Sequence, residues 1–154
     1  MDAKLVNPFI DAFTSVMPQM GFQEPKRSKL YVREKNAVSR GVAIIVGFTK
    51  QIRGNVVYNM SVDTAKYIAS TMMMGMPVSD FDTMAQSAVS ELSNMLTANA
   101  ATNLTGMGLE VDISTPSLTI GESFQVKISD AQYLTVEMDL GGQVVELDIA
   151  VDQK

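Results

Sequence analysis

The 154-residue sequence contains no cysteine, no histidine and no tryptophan. Without histidine or cysteine there is no Ser-His-Asp triad, no thiol nucleophile, no ordinary zinc site, no disulfide and no phosphohistidine, so acid–base work falls to Asp, Glu, Lys and Tyr. Apolar runs of membrane-spanning length are also missing. The first residues carry Asp2, Lys4 and Pro8 where a signal peptide needs an apolar core. Together with the lack of cysteine, this predicts a cytoplasmic protein away from membranes. The sequons Asn59-Met60-Ser61 and Asn103-Leu104-Thr105 are then chance matches.

What is present describes one domain over residues 1–154, with 46% hydrophobic and 19% charged residues and a formal net charge of −5. A chain of this size buries roughly two thirds of its unfolded surface and folds without covalent staples. Charge is uneven along it. Met1 to Asn59 carries 9 Lys/Arg against 4 Asp/Glu, Met60 to Leu109 carries 1 against 4, and Glu110 to Lys154 carries 2 against 9. The acidic balance argues against a general nucleic-acid binder. The basic cluster Lys26, Arg27, Lys29, Arg33, Lys35 and Arg40 reads either as a patch for an anionic partner or as a strand pair balanced against the acidic C-terminal third.

Asn7 before Pro8 reads as a helix N-cap followed by proline at the first helical position, and Phe9, Ala12, Phe13, Val16 and Met17 recur at helical spacing until Pro18 and Gly21. Leu30 to Val32 and Gly41 to Thr49 read as two strands, with Gly54 to Met60 the hairpin partner of the second. Ser61 caps a second helix whose apolar face is Ala65, Ile68, Ala69, Met72 and Met73. The run Met72, Met73, Met74 and Met76 suits a soft binding surface or the filling of core gaps. Asp80 or Asp82 caps the longest helix, which runs to about Leu104 and closes at Gly106-Met107-Gly108. These glycines follow a helix instead of opening one, so they form a C-cap and not a phosphate loop. Leu109 to Ser114, Phe124 to Ser129, Tyr133 to Leu140 and Val144 to Val151 read as strands, the last two joined by a Gly141-Gly142 turn. The order predicts an α+β fold, an antiparallel sheet packed against two or three helices including one long helix. A receiver domain is excluded, because its alternating β-α pattern with an acidic pair, an acceptor Asp and a late Lys is not found.

The long helix holds the candidate site. From Thr83 to Leu109 the only charged residue is Glu91. Its non-core stripe reads Ser87, Ser90, Glu91, Asn94, Thr97, Ala98 and Ala101, a flat face from which Glu91 and Asn94 project side by side at i and i+3. Short side chains equally suit a helix packed under a loop or in a dimer interface, and Glu-x-x-Asn alone does not decide between these.

The sequence resembles the CheX branch of the CheC/CheX/FliY family of chemotaxis phosphatases. The family's mark is Asp or Ser, Glu four residues on, Asn three further and Pro twenty-odd residues downstream, which here are Ser87, Glu91, Asn94 and Pro116. Glu91-Leu92-Ser93-Asn94-Met95-Leu96, Asn99-Ala100, Val6-Asn7-Pro8-Phe9-Ile10 and Asp112-Ile113-Ser114-Thr115-Pro116 extend the similarity over most of the chain. Ala98 stands where relatives commonly have Gly, and the second Glu-x-x-Asn of CheC-type members is replaced by Asp11 and Thr14, so one site per subunit is expected.

The resemblance implies a CheC-like fold and hydrolysis of the aspartyl phosphate on a phosphorylated CheY-like response regulator, terminating a chemotaxis or two-component signal. It implies Asn94 as the residue that orients the attacking water and Glu91 as the docking residue, salt-bridged to a lysine of the regulator. It implies no metal or cofactor bound by this chain, Mg²⁺ on the regulator, and a homodimer formed by joining sheets at the unpaired edge expected of the C-terminal strands. A non-catalytic regulator-binding or flagellar-switch module using the same helix is the competing reading, since fold does not fix function.

Overall fold

The computed structural model describes residues 2–153. A 3₁₀ turn, Ala3–Leu5, leads directly into helix α1, Asn7–Gln19. Val6, already in helical geometry, takes the cap position without a side-chain bond, and Asn7 lies inside the helix instead of capping it. The preceding turn removes the need for a side-chain cap, because the Val6 carbonyl already accepts from the amides of Phe9 and Ile10. Pro18 does not end α1 either. It sits in the last turn, and the stop comes at Gly21, which holds φ +95° while Phe22 N–H reaches back to Met17 O and Gly21 N–H to Pro18 O. That pair of bonds satisfies two carbonyls at the helix end.

The two strands expected before residue 50 are one, β1, Lys26–Lys50. Likewise the stretches around 124–129 and 133–140 are parts of a single strand β4, Ser117–Asp139. Polar, loop-like residues interrupt both apolar patterns because they sit in bulges. Register shifts fall at Arg27/Lys29, Glu34/Asn36 and Val38/Arg40, and β4 places residues 128–131 opposite Lys35, which takes φ +61°. Bulges bend a strand without ending its pairing.

The remaining strands are β2, Ile52–Met60, β3, Val111–Ile113, and β5, Val144–Gln153. All pairings are antiparallel, in the order β2-β5-β4-β1-β3, and β2 also pairs with β1, so the ladder closes on itself. The turn between β4 and β5 is closed by Leu140 N–H to Gln143 O at 2.8 Å, with Gly141 and Gly142 at φ +77° and +100°, values that suit glycine at both central positions. The C-terminal strand is not an edge: β5 is paired on one side with β4 and on the other with β2. Free edges include the Lys26–Glu34 part of β1 and the 117–127 part of β4, each with β1–β4 pairing on one side only, and the outer side of β3.

Helices α2, Val62–Met72, and α3, Thr83–Gly106, follow β2. Ser61 caps α2 by accepting from Thr64 N–H at 3.1 Å, and Asp82 caps α3 by accepting from Ala85 N–H at 2.9 Å. The far end of α3 closes with Leu109 N–H on Leu104 O and Gly108, at φ +85°, on Thr105 O. Alternate residues of the strands, among them Val42, Ile44, Val56, Val136, Leu147 and Ile149, form the main core with Phe9 and Phe13 of α1, Ile68 of α2, and Val89, Leu92 and Leu96 of α3. Each such side chain contributes roughly 1.5–3 kcal/mol on burial. Met72 and Met73 pack against this core, whereas Met74 and Met76 are exposed, so only the first pair fills core gaps. No described helix is long and apolar enough to cross a membrane.

Candidate functional site

Helix α3 packs against α1, α2 and the sheet. Its buried side is Ala85, Val89, Leu92, Ser93, Leu96, Thr97, Ala100 and Leu104. Thr97 is therefore a correction: expected on the outward stripe, it is 1% exposed. Six residues from Glu91 is a rotation of about 120° at 100° per residue, enough to carry it round into the core. Its hydroxyl donates to Ser93 O at 2.8 Å, so at the 2.8 Å contact with Tyr58 the Tyr58 hydroxyl is the donor. Burial holds that phenol far above its usual pKa.

On the outward side Met84, Ser87, Glu91, Ala98, Thr102 and Thr105 are exposed, and Asn94 and Ala101 are half-buried. Glu91 and Asn94 lie one turn apart. Among the described residues neither the Glu91 carboxylate nor the Asn94 carboxamide is held by a hydrogen bond or ion pair. Both therefore keep their full bonding capacity for something outside the chain: two acceptor oxygens on Glu91, and a carbonyl acceptor beside two N–H donors on Asn94. The helix that carries them is fixed by its caps, by its apolar face and by Asn103, whose amide donates to Pro8 O at 3.1 Å.

Pro116, half-buried, is in the connection between β3 and β4 and not on α3. Ser114 ties that connection to β1, its N–H donating to Gly47 O and its hydroxyl accepting from Gly47 N–H, both at 2.8 Å. On α1, Asp11 and Thr14 face outward, and the Thr14 hydroxyl is turned back to Ile10 O at 3.0 Å. Among the described residues no group of three or more Asp, Glu, Cys or His side chains is placed to hold a metal ion.

The basic stretch and the acidic C-terminal third meet on the sheet face turned away from the helices. Arg33 reaches Glu146 at 3.4 Å, Arg40 reaches Glu137 at 3.2 Å and Glu146 at 3.3 Å, and the Arg33 guanidinium lies 5.0 Å from the Tyr31 ring centre. Tyr31 donates to Glu137, and that bond, with Arg40, holds the Glu137 carboxyl below its ordinary pKa. Asn59 donates to Glu146 at 3.1 Å. Deepest in this cluster is Asp148, which accepts from the Thr135 hydroxyl at 2.8 Å and has one carboxylate oxygen without a partner. Period-two alternation marks Glu137, Glu146 and Asp148 as the polar face of their strands, but nothing in that pattern signals that the face is covered.

Residues 42–139 match the family model described as chemotaxis phosphatase CheX. The chain is also 32% identical to the CheY-P phosphatase CheX of Thermotoga maritima over 127 residues, covering 82% of each. The chain belongs to the CheX family. The fold agrees: a chemotaxis protein CheX from Desulfovibrio desulfuricans superposes with a TM-score of 0.85 at 20% identity over 97% of this chain and 99% of that one. A structure of a CheX-CheY-BeF₃-Mg²⁺ complex from Borrelia burgdorferi matches with a TM-score of 0.78 at 26% identity, over 97% and 98% of the two chains. Set beside CheX relatives, this chain has the same arrangement of a long helix against an antiparallel sheet.

Proposed function

We propose that this chain is a protein aspartyl-phosphate phosphatase acting on a phosphorylated CheY-type response regulator, with Asn94 and Glu91 of α3 as its working residues. The observation that carries the assignment of residues is their presentation: one turn apart, facing outward, unengaged, on a helix face with no other charge. Membership of the CheX family and the relatives' CheY-P phosphatase activity support the reaction.

An acyl phosphate is already a reactive anhydride, so the protein has chiefly to hold a water in line. Water attacks phosphorus, the bond to the aspartate oxygen breaks, the aspartate returns as carboxylate, and the water's protons leave on inorganic phosphate. Asn94 suits the positioning role because a carboxamide both accepts from and donates to its neighbours while adding no negative charge beside the phosphoryl oxygens. A carboxylate there would repel them. Glu91, one turn away, docks the regulator by pairing with one of its lysines, and the seated helix excludes bulk water. The Mg²⁺ of the Borrelia complex is consistent with a metal supplied by the regulator.

Asn94→Ala is expected to bind the regulator as the unaltered chain does and to lose the acceleration of phosphate release. Glu91→Ala is expected to weaken association by roughly 1–3 kcal/mol. Phosphate lifetime on excess regulator measures both. Acceleration by Asn94→Ala equal to that of the parent overturns the role of Asn94, and stoichiometric binding without turnover by the parent identifies a binding module instead. The chain is further proposed to act in the cytoplasm, as a single domain with one site, and as a homodimer. The free edge of β1, with Leu30 and Val32 exposed on it, supports sheet-to-sheet joining there.

A further inference from the structure

From Tyr67 to Val126 the sequence has no lysine or arginine. That run contains the whole of α3, and its exposed residues include the acids Asp80, Asp82 and Glu91. The same region carries unburied apolar side chains: Met74 is 96% exposed, Met76 57% and Met84 63%. Met84 precedes Glu91 by seven residues, which brings it within about 20° of the same azimuth and about 10 Å away along the helix axis. It is thus on the outward stripe, two turns from the proposed working pair. Met74 and Met76 lie in the connection between α2 and α3. Met72 and Met73 end α2 against the core, and the chain then passes through Met74 at φ +60° and Gly75 at φ +86°, which turns it outward. A left-handed position on the surface favours glycine or asparagine, not a long apolar side chain.

We propose that Met74, Met76 and Met84 form an apolar docking surface, framed by Asp80, Asp82 and Glu91, that seats the same response regulator in an apolar depression bordered by lysine or arginine. The inference rests on the reading of α3 as the regulator-facing helix. Charge selects this occupant: between Lys66 and Lys127 the chain exposes acids and no cations, which repels a second copy of the same segment and attracts a basic rim. Methionine supplies an apolar contact able to adapt its shape to a partner. Met84 lies on the same stripe as Glu91 and Asn94, so a regulator presenting its phosphoryl group to Asn94 covers Met84 as well.

The experiment measures affinity for a CheY-type regulator loaded with BeF₃ and Mg²⁺, a readout that does not depend on turnover. Met84→Ala and the double variant Met74→Ser/Met76→Ser are each expected to weaken binding about five- to tenfold with an unchanged melting temperature. Asp80→Asn is expected to flatten the salt dependence of binding; Asp82 is left intact because it caps α3. Full affinity in both methionine variants, or no binding by the unaltered chain, overturns the docking surface. Normal methionine sensitivity with no effect of the unaltered chain on phosphate lifetime leaves the surface standing and removes only the phosphatase reading.

Discussion

Asp148 is fully enclosed, bonded to Thr135 through one oxygen and with the other unpartnered, beside the Glu146 carboxylate. Burial first, and then Glu146, push its pKa up to about 8, against an ordinary value of 3.8, while Thr135 and Arg33 act in the opposite direction. The folded chain therefore keeps a proton that the unfolded chain gives up. Stability from this group is complete at pH below about 4 and is lost as pH rises toward about 8, at up to about 1.4 kcal/mol per pH unit. Asp148→Asn, neutral at every pH, is expected to flatten that decline in urea unfolding at pH 5, 7 and 9; an unchanged slope would show that Asp148 is charged in the fold. The placement of Glu91 and Asn94 on the outward side of α3 was legible because it follows from helical spacing, a property of sequence. Thr97 and Asp148 were not, since a polar residue on a regular pattern looks the same whether its face is wet or sealed.

Helices reveal themselves through their ends. Ser61, Asp82, Gly21 and Gly108 each occupy a terminus where a lone N–H or carbonyl needs satisfying or the backbone must turn left-handed, and all three helices begin and end within a few residues of the positions expected. Strands carry no such punctuation. Lys35, Ser123 and Ser129-Asp130 look like loops, yet they sit in bulges inside β1 and β4, and the pairing continues across them. Close approach between strands is similarly hidden. A Cβ on Gly54 would lie 1.8 Å from Ala150 O, a backbone atom of the neighbouring strand that cannot swing aside. Gly54→Ala is expected to force β2 from β5 and cost about 3 kcal/mol, read as a lowered thermal midpoint. A midpoint within a degree of the parent's would mean the two strands separate freely.

At the scale of the whole molecule, the proposed homodimer joins its sheets at the edge of β1 that carries exposed Leu30 and Val32. Val32→Lys is expected to convert a homodimer to monomer in sedimentation velocity while leaving the melting profile of the subunit intact. A dimer that persists in this variant would place the interface elsewhere. The α+β architecture was readable from element order, because consecutive strands joined by hairpin-length links, grouped between one helix and a pair of helices instead of alternating with them, favour an antiparallel sheet. The closure of the ladder through β2 and β1 was not, since it depends on how far two bulged strands bend.

Helix α3 is clamped at both termini, bolted to the core along one side and tied to α1 through Asn103. Glu91 and Asn94, mounted on such a girder, are held in place before any partner arrives. On the proposed reading, the tempo at which a signal fades is then set in the solvent, by how often two proteins collide and how soon they part.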